Sequence, residues 1–277
     1  MLFCGPALAQ RIERAEADLI GSATRAAARR GAPGFTLPVS GGLACYADTD
    51  SPMNKVVGLG FAGVPDAGVL DEIERTFAAH GSAVVVELCN LGDPDIAPLL
   101  CERGYRLVGF ENVLGCALPA GSPPDSASEL QVWRAEAGES RAWLDVIVDG
   151  FAHPDGHGVP SHEEFPGAVI AAAMDDMEQA GVVRYLAGVG GVVAGGAGMR
   201  TAGGVAQLTG AATAPAFRRR GVQAALLVRR LRDASDARCD LAVVTTAPGS
   251  LSQKNVQRKG FHLLYTRALL VRDTAGC

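Results

Sequence analysis

The sequence predicts a mixed α+β protein built from two similar halves, and three observations carry this prediction. The chain has 277 residues, which at roughly 150 residues per domain corresponds to about two domains. Segments with helical periodicity alternate with short apolar segments typical of strands. The order of these segments in the first half recurs in the second half, which indicates a tandem duplication.

The composition excludes several classes of protein. Hydrophobic residues make up 48% of the chain and charged residues 20%, so the signature of a disordered protein is absent. The formal net charge of -5 argues against a protein that binds nucleic acid through a broad basic surface. The seven cysteines form no C-x-x-C pair, which argues against a zinc ribbon or a disulfide framework. We expect them to be small buried side chains in a reducing compartment.

The first half opens with a predicted amphipathic helix, because Leu8, Ile12, Ala15 and Leu19 recur at helical spacing among charged residues. This pattern is unlike the apolar segment of a signal peptide, and no uncharged stretch has the roughly 20 residues of a membrane-spanning helix. We therefore expect a cytoplasmic protein that does not contact membranes. A strand is predicted over residues 83–88. Three prolines and three serines between residues 118 and 128 predict a linker between the halves.

The second half is predicted as a longer series of elements. In chain order these are a strand at 130–135, helices at 139–151 and 163–180, strands at 182–189, 192–199 and 205–213, a helix after Gly221, a strand at 240–246, a short helix at 252–258 and a pair of strands beginning at Phe261. In the helix after Gly221, Leu227 and Leu231 share an apolar face, while Arg229, Arg230 and Arg232 are assigned to the opposite, polar face.

Three pairs of segments carry the internal repeat. Residues 102–108 match residues 258–264, the strand at 83–88 matches the strand at 241–246, and Gly68-Val69 before a helix matches Gly221-Val222 before a helix. The repeat lets the two halves be compared position by position.

The segment Arg218-Arg-Arg-Gly221 has the pattern of an anion-binding site. A predicted strand leads into three arginines, a glycine permits close backbone approach, and a helix begins directly afterwards. The unpaired N–H groups at the start of a helix, its dipole and neighbouring guanidinium groups all favour an anion such as a pyrophosphate. A solvated basic turn at a helix start explains the same residues equally well.

This segment resembles the acetyl-CoA loop of the GCN5-related N-acetyltransferases. Their pattern is [Gln/Arg]-x-x-Gly-x-[Gly/Ala], and Arg218-Arg-Arg-Gly221-Val-Gln223 fits it at every position except the last. The strand at 241–246 and the closing Lys259-Gly-Phe261 are also similar to that family. The resemblance covers residues 128–277, and the first half is identified as a degenerate copy.

The resemblance implies two domains of this fold, at residues 1–120 and 127–277, each with a mixed, mostly antiparallel sheet flanked by helices. It implies an acyltransferase that moves an acetyl group from acetyl-CoA to a primary amine by direct attack, with a small molecule or a peptide as acceptor and no nucleic acid as partner. A backbone N–H of the fourth strand would polarise the thioester carbonyl. The residues implied to bind the co-substrate are Ala211, Ala212, Thr213, Arg218, Arg219, Arg220, Gly221, Val222, Gln223, Ala224, Ser252 and Asn255.

The catalytic acid and base remain unassigned by the sequence. Many members of the family carry a tyrosine four residues before the closing glycine, where this chain has Val256. Tyr265 is another side chain near the expected cofactor, and the fourth strand offers Gln207 where a carboxylate would serve as base. An alternative is therefore a module that binds CoA or a metabolite without turnover.

Two further motifs, a polar segment rich in histidine and a glycine-rich segment, could indicate other kinds of site. His153, Asp155, His157, His162, Glu163 and Glu164 form a polar segment that fits an acceptor-binding loop, a solvated loop or, least well, a zinc site. Gly58-Leu-Gly60-Phe-Ala-Gly63 matches a dinucleotide fingerprint, but further residues separate it from the next helix, so we expect no nicotinamide or flavin site. Because Pro65-Asp66-Ala67 stands where the second half has three arginines, we expect one CoA per chain, in the second half.

Overall fold

The structure is a computed structural model that describes residues 2–118, 130–153, 159 and 165–274. Seven α-helices and eleven strands lie within these ranges. The predicted linker falls outside them from residue 119 onward, as do Asp155, His157, His162, Glu163 and Glu164. None of the helices described is long and apolar enough to cross a membrane.

The first half has three helices and five strands. They are α1 (Pro6–Arg29), β1 (Phe35–Val39), β2 (Gly42–Tyr46), β3 (Lys55–Val57), α2 (Ala67–Ala79), β4 (Val84–Cys89), α3 (Ile96–Glu102) and β5 (Arg106–Ala117). The helix predicted at the N-terminus is confirmed as α1, which buries Ile12, Leu19 and Ile20.

The second half has four helices and six strands. They are β6 (Gln131–Arg134), α4 (Ser140–Ala152), α5 (Gly167–Gln179), β7 (Val183–Val189), β8 (Val192–Ala202), β9 (Val205–Thr213), α6 (Val222–Asp236), β10 (Leu241–Thr246), α7 (Leu251–Gln257) and β11 (His262–Arg272). The helix predicted from residue 163 is seen from Gly167, directly after the N-cap Pro166. Arg230, which was assigned to a polar face of α6, is buried.

All eleven strands form one sheet, in the order β1-β2-β3-β4-β11-β5-β10-β9-β8-β7-β6. The two longest strands of the central region are exchanged between the halves. Strand β11 of the second half lies between β4 and β5 of the first half, and β5 lies between β11 and β10. The prediction of a closing pair of strands after Phe261 is therefore wrong, because β11 is a single strand whose two neighbours come from the other half.

The internal repeat is visible in the strand directions. The pairs β3–β4 and β9–β10 are parallel, and every other pair of neighbouring strands in the sheet as described is antiparallel. Each parallel pair is connected through a helix, α2 in the first half and α6 in the second half. The predicted mixed, mostly antiparallel strand arrangement with flanking helices is thus confirmed, and the structure adds that the two units share one continuous sheet. The domain limits 1–120 and 127–277 remain a prediction.

Helices cover both faces of the second-half sheet. A Cβ atom on Gly195 would meet Val222 and Leu226 of α6, whereas one on the next residue, Gly196, would meet Trp143 and Val146 of α4. Since successive residues of a strand point to opposite faces, α4 and α6 pack on opposite sides of β8. Helix α1 lies on the α4 side and spans the junction, where it contacts β2 of the first half and α5 and β9 of the second.

Candidate functional site

Strands β9 and β10 separate partway along their length. Their parallel pairing runs from Leu241 opposite Val205 to Val244 opposite Leu208 and ends there. Strand β9 continues to Thr213 and β10 to Thr246, each paired only with its outer neighbour. Among the residues described, no backbone hydrogen bond joins 209–217 to 245–250. The sheet is therefore open between the two strand ends, beside Ala211, Ala212 and Thr213.

The backbone of β9 has unpaired groups along this opening. The N–H of Ala214 donates to Ala194 O at 3.0 Å, toward β8. Because successive amides of a strand point to opposite sides, the Thr213 amide points away from β8 and into the opening. Arg218 Nε lies 3.5 Å from Thr213 O on that side. A ligand that enters the opening can therefore form strand-like hydrogen bonds with β9.

A β-bulge interrupts β9 where the opening begins. Gly196 is paired with Ala212 and Gly198 with Thr209, so two residues, Gly210 and Ala211, lie opposite the single residue Ala197. Gly210 has φ of 46°, in the left-handed region that glycine adopts at the first position of such a bulge. The bulge redirects the backbone of β9 away from β10.

The three-arginine segment connects the end of β9 to α6. After a short 3-10 turn at Pro215–Phe217, Arg219 and Gly221 have φ of 61° and 84°. Gly221 is the N-cap of α6 and supplies no side chain to cap the helix, and the first turn of α6 carries no acidic residue. The N–H groups of Val222, Gln223 and Ala224 have no carbonyl four residues earlier within the helix. This end of α6 has the geometry of an anion site.

No carboxylate that the structure describes pairs with the guanidinium groups of this loop. Arg219 and Arg220 are exposed, Arg218 is half-buried, and none of the three forms an ion pair with a carboxylate that the structure describes. Arg218 donates instead to the carbonyl of His153 at the end of α4, and Arg220 lies 5.7 Å from the centre of the Phe217 ring. The loop therefore keeps its positive charge available at the mouth of the opening.

Two predicted contact residues of the co-substrate are joined to each other. Asn255 of α7 donates from Nδ2 to Gln223 Oε1 of α6 at 2.5 Å. The glutamine that departs from the family pattern thus links the two helices beside the site. Ser252 is half-buried on the same helix as Asn255, and it makes no hydrogen bond with its side chain among the described residues.

Two residues considered near the cofactor have other roles. Val256 is 5% exposed and packs in the core below α6, with Leu226 and Phe261. Tyr265 is 3% exposed and its hydroxyl donates to Glu13 Oε1 at 2.6 Å, on the α1 face of the sheet. Tyr265 is therefore a buried structural contact between β11 and α1, and it does not line the opening.

A cluster of ionisable side chains, which the sequence did not reveal, lies between α1 and the middle of the sheet. Arg267 is 1% exposed and donates to Glu13 Oε1 at 2.8 Å and to Glu87 Oε2 at 3.1 Å, while Lys55 donates to Glu87 Oε1 at 2.5 Å. The Oε2 atom of Glu111 lies 3.8 Å from Nη1 of Arg267. With Glu16, four carboxylates face two cations, so the cluster is electronegative when all of them are ionised.

Two of these carboxylates have raised pKa values. Burial, together with the negative charge of Glu87, raises the pKa of Glu111 to about 7. Burial also raises the pKa of Glu16, whose Oε2 accepts a hydrogen bond from Gln207 Nε2 of β9 at 3.1 Å. Gln207 thus connects the cluster to the strand that borders the opening. The pairs with Gln207 and Arg267 join residues far apart in sequence, which is why no local pattern predicted them.

The corresponding position in the first half is closed. Strands β3 and β4 form a single pair, Val56 with Val86, and β3 ends at Val57. The following loop packs against the loop after β4, where Asp93 N–H donates to Gly60 O at 2.9 Å. Helix α2 begins after Pro65 and the N-cap Asp66, with no arginine at that turn. The first half therefore has neither the open strand nor the cationic loop.

The remaining motifs supply no further site within the described residues. Gly58, Gly60 and Gly63 lie in the loop after β3, and three residues separate Gly63 from α2, so they do not form a dinucleotide fingerprint. His153 forms an ion pair with Asp149 at 3.1 Å when protonated. No metal-ligating group of three side chains occurs in 2–118, 130–153 or 165–274. Cys45, Cys89 and Cys239 are buried as expected, whereas Cys101 is exposed.

Comparison with solved structures identifies proteins of similar fold. A GCN5-related N-acetyltransferase from Kribbella flavida is similar over 94% of this chain and 96% of its own, with a TM-score of 0.65 and 18% identity. The tandem GNAT protein from the clavulanic acid biosynthesis pathway is similar over 85% of this chain and 79% of its own, with a TM-score of 0.55 and 13% identity.

A GCN5-related N-acetyltransferase from Sphaerobacter thermophilus covers 75% of this chain and 67% of its own, with a TM-score of 0.55 and 16% identity. No protein-family profile and no curated protein matches the sequence. The resemblance inferred from residues 218–223 is thus confirmed at the level of structure. The chain has the tandem fold of the GCN5-related N-acetyltransferases.

Proposed function

We propose that the protein is an N-acetyltransferase that transfers the acetyl group of acetyl-CoA to a primary amine by direct attack. The observation that carries the proposal is the open strand pair β9–β10 with an arginine loop at its mouth that pairs with none of the described carboxylates. Neither feature is explained by packing, because a parallel pair with continued pairing and an acidic N-cap would stabilise the fold better.

The residues present fit the parts of acetyl-CoA. Arg219, Arg220 and the first N–H groups of α6 suit the pyrophosphate, which carries the charge that a helix N-terminus favours. The backbone of β9 that faces the opening, which includes the amide of Thr213, suits the amides of the pantetheine arm, which can continue the strand pairing that β10 leaves off. Gln223, Ser252 and Asn255 border the same route on the helical side.

The bulge of β9 is the proposed position of the reacting carbonyl. Acetyl-CoA supplies an activated acyl group, so no covalent enzyme intermediate is required. A backbone N–H at the bulge would stabilise the negative charge that develops on the carbonyl oxygen, as fixed donors do in other acyl transfers. The neutral amine nitrogen bonds to the carbonyl carbon, the C–S bond breaks, and CoA leaves as a thiolate that takes a proton from solvent, while the proton that the amine loses passes to water. What remains for the chain is to hold the amine in its neutral form beside this position.

The acceptor is proposed to be a cationic amine before it reacts. The ionisable cluster around Glu13, Glu16, Glu87 and Glu111 carries an excess of negative charge when Glu16 and Glu111 are ionised. It lies on the α1 side of the sheet and is connected to β9 through Gln207. Such a cluster attracts an ammonium group by long-range electrostatics. The predicted contributions of Glu163 and Glu164 lie outside the described residues and stay predictions.

A second candidate function is binding of CoA without turnover. The observation that favours it is Val256, which places an aliphatic side chain in the core where many members of the family carry a tyrosine. The anion loop and the open strand serve binding equally well, so the two candidates differ only in the chemical step.

A thiol-release assay separates the two candidates. The purified full chain is incubated with acetyl-CoA and with amino acids, polyamines, aminoglycosides or peptides, and free CoA thiol is measured. We expect release that depends on one class of amine and falls at least tenfold in Arg219→Glu. Bound CoA without amine-dependent release would favour the binding module, and failure to bind CoA would contradict both candidates.

A further inference from the structure

The bulge in β9 is contacted from both faces of the sheet through the neighbouring strand. Trp143 of α4 donates from Nε1 to Ala197 O at 3.1 Å, and Ala197 is the residue opposite the bulge. Arg230 of α6 donates from Nη1 to Gly198 O at 3.0 Å, and Gly198 is the next residue of β8. Two consecutive carbonyls at the level of the bulge thus accept side-chain hydrogen bonds, one from each helix layer.

Both donors are held rigidly. Trp143 is 1% exposed, and the guanidinium of Arg184 stacks 4.7 Å from the centre of its ring. Arg230 is 3% exposed, and its Nε donates to Leu226 O, one turn earlier in α6, at 3.2 Å. Neither side chain can leave its carbonyl without opening the packing of its helix against β8.

A buried arginine at position 230 is unfavourable in free energy. No carboxylate in the described part of the chain pairs with it, and burial lowers its pKa to about 10. A buried cation without a counter-ion costs desolvation free energy that an apolar side chain of similar size would avoid. Packing alone therefore does not account for an arginine here, whereas a donor that must reach the Gly198 carbonyl does.

We propose that Trp143 and Arg230 are positioning residues that fix the β9 bulge and thereby set the direction of the backbone N–H offered to the thioester carbonyl. This inference rests on the proposed function for its catalytic consequence. The two side chains do not touch the co-substrate and act only through β8. Because a misplacement of about 1 Å in a catalytic group lowers rates by roughly a hundredfold, small shifts of the bulge affect the chemical step strongly.

The test uses Arg230→Met, Arg230→Lys and Trp143→Phe in the full chain. Methionine and phenylalanine keep most of the buried volume and remove the donor, whereas lysine keeps a cationic donor on a side chain of similar length. Amide hydrogen exchange is measured for the peptide containing residues 209–213, with residues 84–89 of β4 as internal control. We expect faster exchange at 209–213 in the Met and Phe variants, unchanged exchange at 84–89, and recovery in Arg230→Lys.

Turnover and CoA binding complete the test. In the Met and Phe variants we expect kcat to fall by about ten- to a hundredfold. We expect a smaller rise in the Kd for CoA, because the arginine loop is unchanged, and a Tm of Arg230→Met equal to or above that of the wild type. Unchanged exchange at 209–213 would overturn the positioning role, whether or not the protein is an enzyme. Faster exchange with unchanged kcat would overturn the catalytic consequence of the positioning role. A wild-type protein without turnover would refute the proposed function, and the exchange result would still decide whether Trp143 and Arg230 position the bulge.

Discussion

Arg219 and Arg238 are exposed arginines in the same left-handed backbone conformation, with φ of 61° and 59°, at opposite ends of α6. Neither pairs with a carboxylate among the residues the structure describes. They differ in what surrounds them, because Arg219 lies beside the open end of β9 and the N-terminus of the helix, whereas Arg238 lies beyond its C-terminus. Variants of these two arginines therefore separate the effect of net charge on CoA binding from the effect of the arginine's position.

Arg219→Glu should weaken CoA binding by about ten- to a hundredfold, because a charge-assisted hydrogen bond contributes about 1.5 to 3 kcal/mol and the new carboxylate repels the pyrophosphate. The matched variant Arg238→Glu makes the same change in net charge and should alter the Kd by less than twofold. Isothermal titration of both variants with CoA measures this difference. Equal weakening in both would mean that CoA responds to overall charge, and that the loop is not its site.

At the scale of single residues, the sequence predicted those contacts that depend on residues close together along the chain. The arginines and Gly221 are near each other because a strand, a turn and a helix follow in order, whereas Asn255 reaches Gln223 from α7, 32 residues further along the chain. It placed Arg230 on a polar face of α6, since helical periodicity does not tell whether a guanidinium can reach a bulged carbonyl. It also missed Glu13 and Glu16, whose partners Arg267 and Gln207 lie about 250 and 190 residues away along the chain.

At the level of elements, strand order is the feature that the sequence did not supply. In the second half, most helix and strand limits follow from periodicity and from Gly and Pro, and they agree with the structure within a few residues. In the first half the sequence assigns limits only to the strand at 83–88, which is seen as β4. The repeats at 102–108 and 258–264 were recognised as equivalent. Because the two segments are equivalent, the sequence does not show which of the strands β5 and β11 pairs with which half of the sheet. That choice depends on pairing between strands far apart in the sequence.

The exchange of β5 and β11 predicts that the halves do not fold separately. Without residues 1–118, β10 loses its antiparallel partner and β11 loses both neighbours, which leaves a long exposed edge. We expect a chain of residues 124–277 to be aggregated or unfolded when produced alone. Co-produced with a chain of residues 1–123, it should form a stable one-to-one complex.

Size-exclusion chromatography and circular dichroism of the separate and co-produced halves measure this outcome. The uncut protein is the control for secondary-structure content. A monomeric, cooperatively folded 124–277 chain would show that the exchanged strand is not needed, and would contradict the pairing of β11 between β4 and β5.

In the whole molecule, the two copies of the fold differ in structure at corresponding places. The second half keeps an open strand pair, a bulge and a cationic loop, whereas the first half closes the same place with the contact between Gly60 and Asp93. The first half still contributes β5, α1 and most of the ionisable cluster to the centre of the sheet. We infer that it shapes the acceptor side of a single site located in the other half.

We propose that each chain binds one CoA, at the open end of β9. Isothermal titration of the full chain with CoA, in the wild type and in Arg219→Glu, measures this directly. We expect a stoichiometry near one per chain and a Kd that rises at least tenfold in the variant. Two equivalent sites per chain, or a Kd that Arg219→Glu leaves unchanged, would contradict it.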